Sequence, residues 1–170
     1  MTLDELNALP PEHATEVFRA CCGASRWVDE MVARRPFAST DMVMSMADDI
    51  WLAMGPDDWH EAFAHHPRIG ERATAARQDE RAAAWSAGEQ SSVANADAAM
   101  HDELAEINRA YEARFGYIYI VCASGRSADE LLEIARRRLT NAPDDELRVA
   151  AEEQRQITRL RLRKLLSLTS

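Results

Sequence analysis

The spacing of the apolar residues is the feature that most constrains how this chain can fold. These residues recur at steps of three and four, in segments that are separated by proline and glycine. In the clearest segment they are Val43, Met46, Ala47, Ile50, Trp51 and Met54. This spacing lines one face of an α-helix. Ser39 or Thr40 is suited to begin that helix and Gly55 to end it.

The same pattern predicts helices along most of the chain. Thr2 to Glu5 and Ser127 to Glu130 have the form of capping boxes, which mark helix starts. The predicted helices begin near Thr2, Pro11, Ser25, Thr40, Pro56, Val93, Ser127 and Pro143. Residues 71–84 carry few large apolar groups and are interpreted as a loop or a poorly buried helix. The sequence therefore predicts an all-α fold of about seven or eight helices, as one compact domain over residues 1–170.

One stretch departs from the helical pattern. Residues 115–122 are aromatic and β-branched, as in a strand, but no second strand-like run is present to pair with them. We therefore predict an extended, buried segment near residues 117–122. Its main-chain N–H and C=O groups need partners, and a polar ligand could be one of them.

Charge and cysteine content narrow the class of protein. Lys and Arg number 20 against 29 Asp and Glu, a net charge of −9, which argues against binding to nucleic acid or an anionic membrane surface. The three cysteines suggest no disulfide framework, because Cys21 and Cys22 are adjacent and Cys122 is distant. No apolar run is long enough to span a membrane, and the N-terminus lacks the order of a signal peptide. A cytoplasmic protein is expected.

His66 is the first candidate for chemistry. It directly precedes Pro67, and a residue before proline is pushed out of the helical region, so the preceding helix should end there. The dipole at a helix C-terminus favours a protonated imidazole, which suits an acid that works near neutral pH. A histidine at a helix end is equally explained as a cap or a solvated group.

Glu89 and Gln90 place a carboxylate beside a primary amide, which could orient a polar ligand. However, Ser86 and Glu89 also have the spacing of a capping box, so Glu89 has the alternative role of capping its own helix. The residues alone leave both readings open.

Arg161 lies on the apolar stripe of the last helix. The members of this stripe are Leu147, Ala150, Gln154, Ile157 and Arg161, at steps of three and four. Arg161 is therefore predicted to point inward, whereas Arg159 and Arg163 are rotated away. A buried arginine needs a partner, either an internal carboxylate or an anionic ligand held by two hydrogen bonds.

A metal site is not predicted. His60 and His65 are five residues apart, which separates them by about 140° around a helix, whereas the zinc motif needs histidines four apart. The sequence also lacks the glycine-rich phosphate loops and the nucleophile motif of serine hydrolases.

Four motifs in order resemble the 2-oxo-4-hydroxy-4-carboxy-5-ureidoimidazoline (OHCU) decarboxylase family, and they extend from about residue 5 to residue 166. These are His66-Pro67-x-Ile69-Gly70, Ser86-x-x-Glu89-Gln90, Asn108-x-x-Tyr111-x-x-x-Phe115-Gly116-Tyr117 and Ile157-x-x-Leu160-Arg161-Leu162. The resemblance implies an all-α fold that uses no metal or organic cofactor. It also implies an enzyme of urate breakdown that converts its ureidoimidazoline substrate to (S)-allantoin and CO₂, commonly as a homodimer.

The resemblance also implies the site. His66 and Glu89 would be catalytic. The residues that would contact substrate are Pro67, Ser86, Gln90, Ile118, Tyr119, Ile120, Val121, Cys122 and Arg161. Residues 118–122 would do so largely through their main chain. Tyr117 occupies a position where relatives more often carry a second phenylalanine. Arg126 lies in a turn that varies among relatives, so the resemblance assigns no role to Arg126.

Two other classes of protein remain as alternatives. One is a non-catalytic all-α ligand-binding or interaction module whose basic C-terminal helix meets an acidic partner. The other is a metal hydrolase, which bound zinc would reveal.

Overall fold

The computed structural model of the chain describes residues 1–69, 80–94 and 98–168. All the regular secondary structure among them is helical, so the all-α prediction is confirmed. The helices are α1 (Leu3–Ala8), α2 (Pro11–Cys21), α3 (Ser25–Ala33), α4 (Thr40–Leu52), α5 (Pro56–Phe63), α6 (Glu80–Glu89), α7 (Ser91–Ala94), α8 (Ala98–Phe115), α9 (Ala128–Arg138) and α10 (Pro143–Leu165). Helix α6 begins at Glu80, inside the stretch 71–84 that is interpreted as a loop or a poorly buried helix, and residues 71–79 of that stretch lie outside the described residues. The single turn α7 is not predicted as a separate helix.

The helix starts follow the chemistry that the sequence predicts. At α1, the Glu5 N–H donates to Thr2 Oγ1 over 3.2 Å and the Thr2 N–H donates to the Glu5 carboxylate over 2.7 Å. At α9, Ser127 and Glu130 make the same reciprocal pair of hydrogen bonds, also at 3.2 and 2.7 Å. Both capping boxes are confirmed, and each satisfies main-chain donors that the first turn of a helix leaves without partners.

Helix α3 begins at Ser25, at the predicted position. Ala24 is the residue before the helix, and Ser25 is its first helical residue. The N–H and the hydroxyl of Ser25 donate to the carboxylate of Glu61 over 2.9 and 2.6 Å. A carboxylate that is distant in the sequence therefore caps this helix, and local sequence spacing cannot reveal such a contact.

The chain forms two compact units. Unit 1 comprises Met1–Ala62 and Arg155–Ser170, and unit 2 comprises Phe63–Gln154. The expectation of a single domain stays a prediction. None of the helices in the described part of the chain combines the length and the apolar character that a membrane crossing requires.

The core of unit 1 is built around Trp27, which is fully buried. Its ring meets the ring of Phe18 edge to face, with centroids 6.0 Å apart, and Phe18 meets Phe37 in the same manner at 6.4 Å. The indole N–H of Trp27 donates to the carbonyl of Ala47 over 3.0 Å, which joins α3 to α4. A buried tryptophan needs such an acceptor for its single polar group.

The core of unit 2 centres on Tyr111 of α8. Its ring lies 4.7 Å from Phe115, 5.8 Å from Tyr117 and 5.3 Å from Tyr119, measured between ring centroids. Residues 117–122 lie between α8 and α9 without helix or strand, and Tyr119, Ile120 and Val121 are buried. Gly116 allows the chain to leave α8, because its φ of 81° lies in the left-handed region that glycine tolerates. The prediction of a buried, non-helical segment is confirmed.

Candidate active site

His66 lies in the turn that follows α5. The helix ends at Phe63, and the His66 N–H donates to the Phe63 carbonyl over 3.0 Å to close one last turn. Pro67 follows, and neither residue continues the helix. The side chain of His66 is partly buried. The predicted placement of an imidazole at a helix end is therefore confirmed.

The loop that carries His66 is attached to α8. The Arg68 guanidinium donates two hydrogen bonds to the Glu112 carboxylate, each of 2.9 Å. One residue later, the Asn108 side-chain amide donates to the Ile69 carbonyl over 2.8 Å. Ile69 is buried in the unit 2 core. The loop therefore has a fixed path as far as residue 69, where the described stretch ends.

Ser86, Glu89 and Gln90 lie at the end of α6. Ser86 and Glu89 belong to the helix, and the Gln90 N–H donates to the Ser86 carbonyl over 3.1 Å, as in a continuing helical turn. Ser86 is 3% exposed and Glu89 8% exposed. A capping box needs its serine before the first helical residue, so the capping interpretation of Glu89 is wrong. Their predicted roles in a substrate site stay predictions.

Residues 118–122 are fixed by side chains of unit 2. Arg138 donates to the Ile120 carbonyl over 2.7 Å, and the Cys122 N–H donates to the Glu153 carboxylate over 2.7 Å. These two main-chain groups are therefore already engaged within the protein. The main chain of Val121, between them, makes no hydrogen bond within the described residues.

A cavity of about 380 Å³ lies where α6 meets the turn before α9. Its lining residues are Gly88, Glu89, Ser91 and the stretch 123–127. Arg126 brings a positive charge to this lining, and its guanidinium lies 3.3 Å from the Glu153 carboxylate. The cavity therefore presents a buried carboxylate, a guanidinium and the start of a helix, and its volume falls within the range of about 300–1,000 Å³ typical of small-ligand sites.

The charged residues near this cavity also affect the pKa of the Cys122 thiol. Burial raises the pKa of the Cys122 thiol, and the carboxylates of Glu153 and Glu89 raise it further. Glu89 and Ala123, the residue that follows the segment 118–122, line the same cavity. Two predicted parts of the site, Glu89 and residues 118–122, are thus brought together in unit 2.

Arg161 belongs to unit 1. It is 3% exposed and donates to the Ala20 carbonyl over 3.3 Å. Burial raises the pKa of the Cys22 thiol to about 11, and the positive charge of Arg161 acts against that rise. The inward orientation predicted from the helical stripe is confirmed, since Arg163 on the same helix is exposed. A role in substrate binding stays a prediction.

The residues that might suggest zinc are used in other ways. Glu61 is bound to Ser25, and His60 is exposed. Among the described residues, no three His, Cys, Asp or Glu side chains are grouped so that they could hold a metal ion. The prediction of a metal-free and cofactor-free site stays a prediction.

Sequence reasoning assigned no role to Glu153 or Arg126. Glu153 holds both the Cys122 main chain and the Arg126 guanidinium, and so shapes one wall of the cavity. Its position in the long helix α10 resembles that of any surface glutamate, so only the packing of α10 against the turn reveals it. Arg126 follows a glycine in a turn, a pattern with many explanations.

Known proteins share this sequence along nearly its whole length. The chain is 36% identical, over 157 residues, to the uric acid degradation bifunctional protein TTL of Arabidopsis thaliana; the match covers 92% of this chain and 48% of that protein. It is 23% identical to the uric acid degradation bifunctional protein PucL of Bacillus subtilis, covering 98% of this chain and 33% of that protein. The chain therefore spans less than half the length of either bifunctional relative.

The fold has a solved counterpart. A crystal structure of an OHCU decarboxylase in the presence of (S)-allantoin superposes with a TM-score of 0.76 and 36% sequence identity, over 89% of this chain and 98% of that chain. A sequence model of the family described as OHCU decarboxylase matches residues 7–163. That range includes every residue that the sequence motifs nominate, from His66 to Arg161. Because the family model matches most of the chain and the helical fold agrees with it, the chain belongs to the OHCU decarboxylase family.

Proposed function

We propose that this chain decarboxylates 2-oxo-4-hydroxy-4-carboxy-5-ureidoimidazoline and releases CO₂ and (S)-allantoin. The family match over residues 7–163 carries the proposal, because that range includes every residue of the proposed site. The buried Glu89 carboxylate at the edge of the unit 2 cavity adds local support.

The reaction breaks the bond between a ring carbon and its carboxylate. The electron pair of that bond stays on the ring carbon and is delocalised toward the adjacent imine as CO₂ leaves. The imine nitrogen takes up one proton, and the hydroxyl on the decarboxylated carbon loses its proton to become the ring carbonyl. A further proton adds from a single face to the former imine carbon, which bears the ureido group, and this fixes the configuration of the product. Orientation and preorganised hydrogen-bond donors can accelerate such a step without any further reagent.

In this proposal His66 is the proton-transfer group. It contacts the substrate hydroxyl or the reacting carbon, and Glu89 orients the imidazole and favours its protonated form. A nearby carboxylate raises the pKa of a histidine, as does the C-terminal end of a helix. His66 lies in the turn just beyond the end of α5, where the proposal places this acid.

The remaining residues bind the substrate. Ser86, Gln90 and the main chain of residues 118–122 bind the ring amide and the ureido group, and Pro67 packs beside the ring. The unengaged main chain of Val121 is the best-placed part of that segment, because the Ile120 carbonyl and the Cys122 N–H already have protein partners. Arg161 pairs with oxygen atoms of the anionic substrate.

The proposed enzyme is a cytoplasmic homodimer that needs no metal or organic cofactor. It binds neither nucleic acid nor membranes. Light scattering coupled to size-exclusion chromatography tests the dimer, and a mass near 19.1 kDa would identify a monomer instead.

Circular dichroism tests the activity directly. Urate oxidase and hydroxyisourate hydrolase generate the unstable substrate in the cuvette, and the protein is added with a metal chelator present. We expect rapid growth of an (S)-allantoin signal, its loss in His66→Ala, and its retention in His65→Ala as the matched control. Slow formation of racemic allantoin, equal with and without protein, would refute the proposed activity and favour a binding module. Near-normal turnover by His66→Ala would remove His66 from the mechanism.

A further inference from the structure

The imidazole of His66 can serve one face of a substrate only if its loop is held in place. The hydrogen bond from the His66 N–H to the Phe63 carbonyl closes the turn at the start of this loop. Proton transfer needs heavy atoms within about 2.6–3.2 Å of each other. The contacts that follow His66 in the chain restrict the path of the loop further.

Helix α8 supplies these contacts from one face. Asn108 and Glu112 are four residues apart, so their side chains lie on the same side of the helix, about one turn or 6 Å from each other. Their partners, Ile69 and Arg68, are neighbours in the loop. Two adjacent loop residues are thus bound at two successive turns of one helix, which fixes both the position and the direction of the loop.

The two contacts differ in character. The Arg68–Glu112 pair has two parallel hydrogen bonds of 2.9 Å, the geometry that gives an arginine–carboxylate pair its directionality. Its side chains are 43% and 30% exposed, so it adds little to stability. Asn108 is 3% exposed, and its amide donates to a main-chain carbonyl, so it can distinguish one loop path from another. Both contacts act on the loop that carries His66.

We propose that Asn108 and Glu112 are positioning residues for His66, which act through Ile69 and Arg68 to aim its imidazole. This inference rests on the proposed role of His66. A site displaced by about 1 Å can lose about a hundredfold in rate, so the effect belongs in kcat rather than in the melting temperature.

The exposed pair provides the sharper test. Arg68→Glu and Glu112→Arg should each lower kcat by about 10- to 100-fold, with little change in the melting temperature. The double variant, with the two charges exchanged, restores the pair and should recover kcat to within about fivefold of wild type. The Arg136–Glu103 pair is the matched control, since it also ends on α8, spans 2.6 Å and is exposed. Its charge exchange should leave kcat within about twofold of wild type.

A second readout separates this inference from the proposed activity. The ¹H–¹³C correlation of the His66 imidazole, assigned by its loss in His66→Ala, should move in each single variant and return in the exchanged pair. Asn108→Leu, which keeps a similar volume but loses the donor to Ile69, should move the same signal and lower kcat by about tenfold or more. If wild type lacks decarboxylase activity, the proposed function fails and the imidazole signal alone decides the positioning role. An unmoved signal in the single variants, or an exchanged pair as slow as either single, would overturn the inference.

Discussion

The buried ion pair of unit 2 gives the most direct test of what fixes the segment 118–122. Arg138 is 4% exposed and Glu146 is fully buried, and the Arg138 Nε donates to the Glu146 carboxylate over 2.7 Å. The Tyr111 hydroxyl also donates to that carboxylate, and the Arg138 guanidinium lies over the rings of Tyr111 and Tyr119. Through its Nη1, the same Arg138 holds the Ile120 carbonyl.

Glu146→Gln removes the charge and keeps the shape. Arg138 then remains buried without its counter-charge, and breaking a buried pair in this way costs about 3–5 kcal/mol of unfolding free energy. Each kcal/mol lowers the melting temperature of a chain of this size by about 2–4 °C. The expected decrease is therefore about 6–20 °C. Burial raises the pKa of Tyr111, so its hydroxyl stays neutral and cannot replace the lost anion.

Differential scanning calorimetry measures the decrease, and Glu103→Gln is the control. Glu103 pairs with Arg136 at the surface, where both side chains are at least half exposed, so its loss should cost at most about 1 kcal/mol. The double variant Arg138→Met/Glu146→Leu should be less destabilised than Glu146→Gln, because no unpaired charge stays buried. A melting temperature for Glu146→Gln equal to that of the control would refute the reasoning.

Two further outcomes follow from the titrating groups. Alkylation of the native protein at pH 8 should modify Cys122 before the buried Cys21 and Cys22. Glu153→Gln should speed the alkylation of Cys122, because it removes a charge that raises the Cys122 pKa. Mass spectrometry of peptides gives the order of modification, and a Cys22 that reacts before Cys122 would contradict the prediction. The main-chain hydrogen bond at Ser127 lowers the pKa of Glu130 below 4.5, so its contribution to stability is present at neutral pH and is lost as pH falls through the lowered value. Melting curves of wild type and Glu130→Gln should therefore differ at pH 7 and converge in acid, whereas a gap that persists at pH 2 would contradict the capping role.

Much of the fold could be predicted because its signals are local. The capping boxes at Thr2 and Ser127 involve residues three apart, and the inward face of Arg161 follows from helical spacing alone. The buried segment near residues 117–122 was also predictable, because its composition contradicts the helices on either side. These features depend on interactions within one or two helical turns.

Residue spacing alone gave a wrong interpretation where the same spacing occurs in two structural settings. Ser86 and Glu89 have the spacing of a capping box, yet the structure places both inside the end of α6. The same three-residue step occurs at a helix start and on one face of a helix interior. Only the extent of the helix, which already includes residues 80–85 before Ser86, distinguishes the two.

The sequence by itself determined the helical class of this chain, the helix starts that carry capping boxes, and the family motifs that nominate His66, Glu89 and Arg161. Only the tertiary structure shows which distant residues are hydrogen-bonded to each other. It joins Glu153 to Cys122, Asn108 to Ile69 and Arg138 to Ile120, across 31, 39 and 18 residues of chain. Helical periodicity reports only which side of a helix is buried, whereas these contacts depend on which element packs against that side.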